Sequence, residues 1–230
     1  MSSTNKKNIY IPFREDELKQ RSKIFYEIKK YYESNNFNII MLDSGDNNFN
    51  IGASKNLAFD HEDKVVCIIN ADTLVQSYSL NYAIESCIKY QSIIKPFSRY
   101  FLVNDINLYI NSFLNDEIIN SFDYHSVKHY NPGSSWVIYN NNVERFDENI
   151  LDPRRNNIEY LIRSSIKSKT IFMDSDGYSI NHAKIIKNNI DVDLEKILNS
   201  VPENFLSIYK NNDQESNKIT KQDIKMMLKN

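Results

Sequence analysis

Glycine is scarce in this chain of 230 residues: there are four, beside five prolines. Tight turns must draw on Asn, Asp and Ser, whose side chains bond the nearby backbone and tolerate unusual dihedrals. The same scarcity disfavours whole classes of chemistry. No G-x-G-x-x-G follows the first strand-like segment, no G-x-x-x-x-G-K-[ST] occurs, and no G-x-S-x-G elbow is present. A Rossmann dinucleotide site, a P-loop nucleotidase and an elbow-type hydrolase are disfavoured accordingly. Cysteine is nearly missing. Cys67 and Cys87 lie in apolar segments, lack metal-ligand spacing and suggest no disulfide framework. No apolar run is long enough to span a bilayer, and the polar start MSSTNKKN carries no signal-peptide pattern. The expectation is a cytoplasmic protein with no membrane partner. An excess of one charge is missing too: 28 Lys and Arg face 30 Asp and Glu, for a net charge of −2 and a pI of about 6.1. That disfavours a dedicated electrostatic nucleic-acid binder but leaves room for a local basic groove.

What is present is an ordinary globular balance, 41% hydrophobic and 25% charged. A chain of this length buries roughly 70% of its unfolded surface, enough for one core without staples. The spacing predicts a strand over Asn8–Phe13 and an amphipathic helix over Asp16–Glu33, with Leu18, Ile24, Phe25, Ile28 and Tyr32 on one face. A second strand is predicted over Phe37–Leu42, a turn over Ser44–Asn48 and a short helix over Ser54–Phe59. Lys64–Ile69 is apolar throughout after its first residue, as expected of a parallel strand covered on both faces. A helix over Tyr78–Lys89 follows. This alternation argues for an α/β fold with a mostly parallel central sheet flanked by helices.

The second half is less regular. A strand is expected within Ile93–Val103, a helix over Asp105–Ser121 and a strand over Ser134–Tyr139. Further expectations are a helix over Asn157–Lys167, a strand over Thr170–Met173 and a helix over Asp191–Asn199. The tail reads as a polar, mobile segment near Asn211–Asn217 and a final helix over Lys221–Leu228. The domain expectation is one unit over 1–210, followed by 211–230 as polar segment and C-terminal helix.

In open parallel sheets, ligands bind beyond the carboxyl ends of the strands. Arg14, Glu15 and Asp16 follow the first predicted strand. Asp43, Ser44 and Asp46 follow the second; Asn70, Ala71, Asp72 and Thr73 follow the third. One strand-end acid is commonly a turn former or a helix cap. Three such clusters on one edge suggest a polar or cationic ligand, and carboxylate and amide oxygens favour a hard divalent ion such as Mg²⁺ or Mn²⁺.

Two runs together carry a resemblance: Phe49-Asn50-Ile51-Gly52-Ala53-Ser54-Lys55-Asn56, and Val65-Val66-Cys67-Ile68-Ile69-Asn70-Ala71-Asp72-Thr73. With Ile11-Pro12-Phe13-Arg14 and Asp43, they resemble the nucleotide-sugar half of GT-A glycosyltransferases. More narrowly, they resemble small phage and bacterial enzymes related to the inverting family of cellulose and hyaluronan synthases. The resemblance covers about residues 8–100, with about 101–200 as an acceptor half. It implies that Asp43 bonds the nucleotide base, that Arg14, Lys55 and Asn56 lie near the nucleotide, and that Asn70-Ala71-Asp72 stands where the family has a D-x-D motif. Asp72 would then hold Mn²⁺ or Mg²⁺ on the donor diphosphate, with a UDP-sugar as the expected donor and the host cytoplasm as the location of a phage-encoded chain. Asn70 brings no charge where the motif has its first acid.

The second half resembles the family more loosely. Pro132-Gly133-Ser134-Ser135-Trp136 and Arg145-Phe146-Asp147-Glu148 match a Gly-bearing strand and an F-D-E turn. The family's next motif is acidic and supplies the catalytic base, but Arg154-Arg155-Asn156-Asn157-Ile158-Glu159 stands there, and amides cannot take a proton at neutral pH. Glu159 and Asp152 are the substitute candidates; a solvated helix residue is the plainer role for Glu159. His182 matches a late histidine that completes the family's metal site, with a surface or capping His as the alternative. His125 and His129 have helical ligand spacing without H-E-x-x-H and read as an acceptor-side loop. Trp136 is either a core residue or a stacking face for a sugar.

The expected function is therefore a metal-dependent glycosyltransferase, inverting by resemblance, acting on a hydroxyl acceptor. The acceptor classes left open are a glycan or small molecule and a hydroxymethylated DNA base. For DNA, Lys95, Arg99, Lys128, Arg154, Arg155, Arg163, Lys167 and Lys169 would have to form a basic rim. Two alternatives stand beside it: a degenerate domain that binds nucleotide sugar or a protein partner without turnover, and a nucleotidyltransferase.

Overall fold

The computed structural model describes residues 6–15, 19–103, 127–129, 134–141, 144–180, 206–209, 215–219 and 222. The chain begins with β1 (Lys7–Pro12), α1 (Gln20–Ser34) and β2 (Phe37–Leu42). β1 and β2 pair in parallel, from Lys7 opposite Phe37 to Pro12 opposite Leu42. Then come α2 (Ile51–Asn56), a 3-10 turn (Leu57–Asp60), β3 (Val65–Ile69), β4 (Thr73–Val75) and α3 (Ser77–Tyr90). β5 (Ile93–Lys95), β6 (Arg99–Val103), β7 (Val127–His129) and β8 (Ser135–Tyr139) follow. The remaining elements are α4 (Pro153–Lys167), β9 (Thr170–Met173), β10 (Asp176–Ile180), β11 (Leu206–Tyr209) and β12 (Glu215–Ile219).

Eight strands form the central sheet, in the order β12-β11-β9-β5-β8-β3-β1-β2. β1, β2, β3, β5, β9 and β11 run one way; β8 and β12 run against them. Because β8 is antiparallel, its first residue lies at the exit end of β3, with Ser135 opposite Ile69. The fold is thus mixed α/β with a mostly parallel sheet, as the sequence alternation predicts. The other four strands form a second sheet in the order β4-β10-β6-β7, and its Leu74, Val75, Val103 and Tyr178 share a core with the central sheet.

Strand alternation divides the core between the two faces of the sheet. Ile9, Ile11, Cys67 and Ile69 point to one face with Phe25, Ile28 and Tyr32 of α1 and Leu80, Ala83 and Cys87 of α3. Tyr10, Val66, Ile68, Trp136 and Ile138 point to the other, with Ala58, Phe59, Phe146, Ile158, Leu161 and Phe172. This two-sided burial explains why the β3 segment reads as one apolar run. Each large side chain removed from water contributes about 1.5–3 kcal/mol before entropy is counted.

Several expectations need correction. The 93–103 segment is two strands in different sheets, broken at Pro96-Phe97-Ser98. α4 starts at Pro153 rather than Asn157, because Asp152 caps it: Oδ1 accepts from Arg155 N at 2.8 Å, and proline suits the first helical position. α2 starts at Ile51, capped by the Asn50 side chain. The polar tail contains β12, paired antiparallel with β11, since ladder bonds between backbones do not require apolar side chains. The helices expected over Asp105–Ser121 and Asp191–Asn199 lie outside the described residues, as do Asp16 and His182. Among the described residues, no helix is long and apolar enough to cross a membrane.

Candidate functional site

The ends of β1, β2 and β3 lie along one edge of the sheet, which brings the loops after them together. After β1 and β2, Arg14 and Asp43 form a two-pronged pair. Arg14 Nε donates to Asp43 Oδ2 at 2.7 Å and Nη2 to Oδ1 at 2.5 Å. The third nitrogen, Nη1, donates to the Asp46 carbonyl at 2.6 Å, and the guanidinium lies 5.6 Å from the centroid of the Phe49 ring. The Arg14 hydrogen bonds, helped by the Gly45 N–H, hold the Asp43 carboxyl below its usual range. A groove of about 430 Å³ opens beside this pair, lined by Phe13, Arg14, Glu15, Tyr26, Met41 and Asp43.

After β3, residues 70–73 make a tight turn in which Thr73 N donates to the Asn70 carbonyl at 3.0 Å. Asp72 accepts from Thr73 Oγ1 at 3.2 Å and from Ser179 Oγ at 3.3 Å, and it borders a shallow pocket with Arg21, Ile24 and Ala71. The Asn70 side-chain oxygen is buried and has no hydrogen-bond partner among the described residues. Ser134 and Ser135, at the start of β8 on the same edge, also hold buried hydroxyls without such partners. An orphaned buried oxygen loses stability unless a ligand, ion or water satisfies it. One carboxylate and one amide oxygen fit a hard divalent ion that keeps waters and phosphate oxygens as its other ligands. Among the described residues, no group of three His, Cys, Asp or Glu gathers as a ready-made metal cage.

Lys55 and Asn56 point away from solvent and join the two halves of the chain. Lys55 is wholly buried; its Nζ donates to Asn157 Oδ1 at 2.5 Å and lies 4.9 Å from the centre of the Phe146 ring. Burial pulls its pKa down to about 7, with Asp72 acting in the opposite direction. Asn56 donates through Nδ2 to the Phe146 carbonyl at 3.0 Å and to Glu148 Oε1 at 2.8 Å, and accepts from Phe146 N at 2.8 Å. Asn157 Oδ1 also accepts from Trp136 Nε1 at 3.3 Å. Trp136 is a core residue: it is fully buried, edge-on to Phe146 and Tyr160, with Lys95 Nζ 3.6 Å from its ring centre. Lys95, expected on a basic rim, is wholly buried; burial and then Lys55 lower its pKa far below the ordinary lysine value. Its Nζ donates to the Ser135 carbonyl. The sequence shows the Lys55-Asn56 motif but not this buried joint, which depends on contacts 90 and 102 residues apart.

The two candidate bases have structural partners. Glu159 is buried and takes a fork from Arg163, Nε to Oε1 at 2.6 Å and Nη2 to Oε2 at 3.2 Å. Asp152 is the α4 cap. Arg163 also bonds Glu144, and Arg99 bonds Asp174 at 2.7 Å and Asp176 at 2.5 Å. Compared with protein-family models and with curated proteins, the chain matches none.

Proposed function

We propose that this chain is a GT-A-type glycosyltransferase that moves a sugar from a nucleoside-diphosphate sugar to a hydroxyl acceptor. One observation carries the reading. Arg14, Asp43, Asn70 and Asp72 follow the carboxyl ends of the neighbouring parallel strands β1, β2 and β3, where sheets of this kind bind ligands, and an open groove lies beside Arg14 and Asp43. In this reading Asp43 and Arg14 take the nucleotide end. Asp72 and the orphaned Asn70 oxygen would hold Mn²⁺ or Mg²⁺, which when bound supplies Lewis-acid stabilisation of the departing diphosphate.

A second reading, donor binding without turnover, is favoured by a specific observation: Glu159 and Asp152 are both engaged in structural bonds. An inverting reaction needs a base within reach of the acceptor hydroxyl. The discriminating experiment supplies a panel of nucleoside-diphosphate sugars with Mn²⁺ and follows release of nucleoside diphosphate. Release that Asp72→Ala abolishes supports the enzyme. Donors that bind but stay intact support the binding domain. Donors that neither bind nor break down overturn both.

A further inference from the structure

Asp43 is already occupied by a planar group. Two parallel N–H bonds from Arg14, at 2.7 and 2.5 Å, reach its two oxygens, and Gly45 N adds a third at 2.9 Å. The Phe49 ring lies beside the guanidinium. The carboxylate is therefore oriented for a flat fork of two adjacent N–H donors next to an aromatic face. The adjoining groove offers about 430 Å³, and Tyr26 and Met41 on its wall are half-exposed.

Of the common nucleobases, only guanine presents such a fork, through N1–H and the 2-amino group. Uracil offers one N–H between two carbonyl oxygens, which a carboxylate repels. Adenine and cytosine set a bare acceptor nitrogen beside their amino group. From this geometry we infer that the nucleotide taken at Asp43 carries guanine, and that Arg14 holds the position until the base arrives. The inference rests on the proposed nucleotide-sugar reading and replaces the uracil that the resemblance implies. The Arg14 pairing keeps Asp43 ionised, as acceptance of two N–H bonds requires. Once displaced, the Arg14 guanidinium keeps its charge and its fork, both suited to an incoming diphosphate.

The test is calorimetric binding of GDP, IDP, UDP and ADP to the full chain with Mn²⁺. IDP is GDP without the 2-amino group. GDP should bind tightest, IDP about 10-fold more weakly, and UDP and ADP no better than IDP. In Asp43→Asn the difference between GDP and IDP should vanish. In Arg14→Met, guanosine without phosphates should bind several-fold tighter than to the unaltered chain, because its competitor is gone. GDP and IDP binding alike to the unaltered chain, or UDP or ADP matching GDP, would overturn the guanine inference and leave the nucleotide reading standing. Guanosine bound no tighter by Arg14→Met would overturn the place-holding role. If none of the four diphosphates bound, both the inference and the nucleotide reading would fall.

Discussion

Lys55 sits in an environment contrary to what its type prefers. A lysine amine ordinarily keeps its proton to about pH 10.4. Inside this fold, burial brings it to about 7. Between those values the unfolded chain binds more protons than the folded one, so stability should rise with pH. Lys95 is shifted in the same direction and reinforces the slope. Burial pushes the Cys87 thiol up to about 12, which opposes the trend above the ordinary thiol range, so the clearest window runs from about pH 7 to pH 9. Urea midpoints should be higher at pH 9 than at pH 7, by at most about 1.4 kcal/mol per pH unit from each lysine. Lys55→Met should flatten the rise; an equal slope in that variant would show that the amine does not titrate there. Asn56 raises a different expectation. It makes three bonds to the 146–148 segment, so Asn56→Ala should cost about 2–4 kcal/mol in a denaturant titration. From the sequence both residues read as ligand contacts, because a Lys-Asn pair after a small-residue turn says nothing about which way it faces. Burial and long-range partners decide that, and they are set by the loop and helix some 90 residues later.

At the scale of elements, local signals were readable wherever one face or one cap dominates. The β1, β2 and β3 segments announce themselves by apolar runs, and Pro12 closes the first. The short strands β4 and β10 were not readable, although Thr170–Met173 was. β4 and β10 include polar and glycine positions such as Thr73, Asp176 and Gly177, and only their pairing makes them strands. Gly177 also has a packing reason: a Cβ there would overlap the buried Phe97 ring. Gly177→Ala should lose about 1–3 kcal/mol by overpacking, and pairing it with Phe97→Leu should return part of that loss. A double mutant no better than the single one would contradict the contact. The α4 start makes a second test. Asp152→Ala should lose about 1 kcal/mol from the lost cap while leaving nucleotide binding unchanged. A large loss of turnover at constant stability would instead give Asp152 a chemical role.

For the whole molecule, the parallel order of β1, β2 and β3 converts three separate strand-end clusters into one edge. That much follows from the sequence, because the alternation of strands and helices forces a common direction. The role of β8 does not follow: only its antiparallel insertion beside β3 brings Ser134 and Ser135 to the same edge as Asn70. Among the described residues of the expected basic rim, Arg99 and Arg163 each bond two carboxylates and Lys95 is buried. In the proposed reading this edge takes a small, multiply charged ligand together with an ion. The most direct measurement is isothermal titration of GDP into the unaltered chain and into Asp72→Ala, each with and without Mn²⁺. The account predicts binding that Mn²⁺ strengthens at least 10-fold in the unaltered chain and leaves unchanged in Asp72→Ala, with both proteins giving the same Trp136 fluorescence. Binding indifferent to Mn²⁺, or equally strengthened by it in Asp72→Ala, would contradict a metal-assisted nucleotide site at this edge.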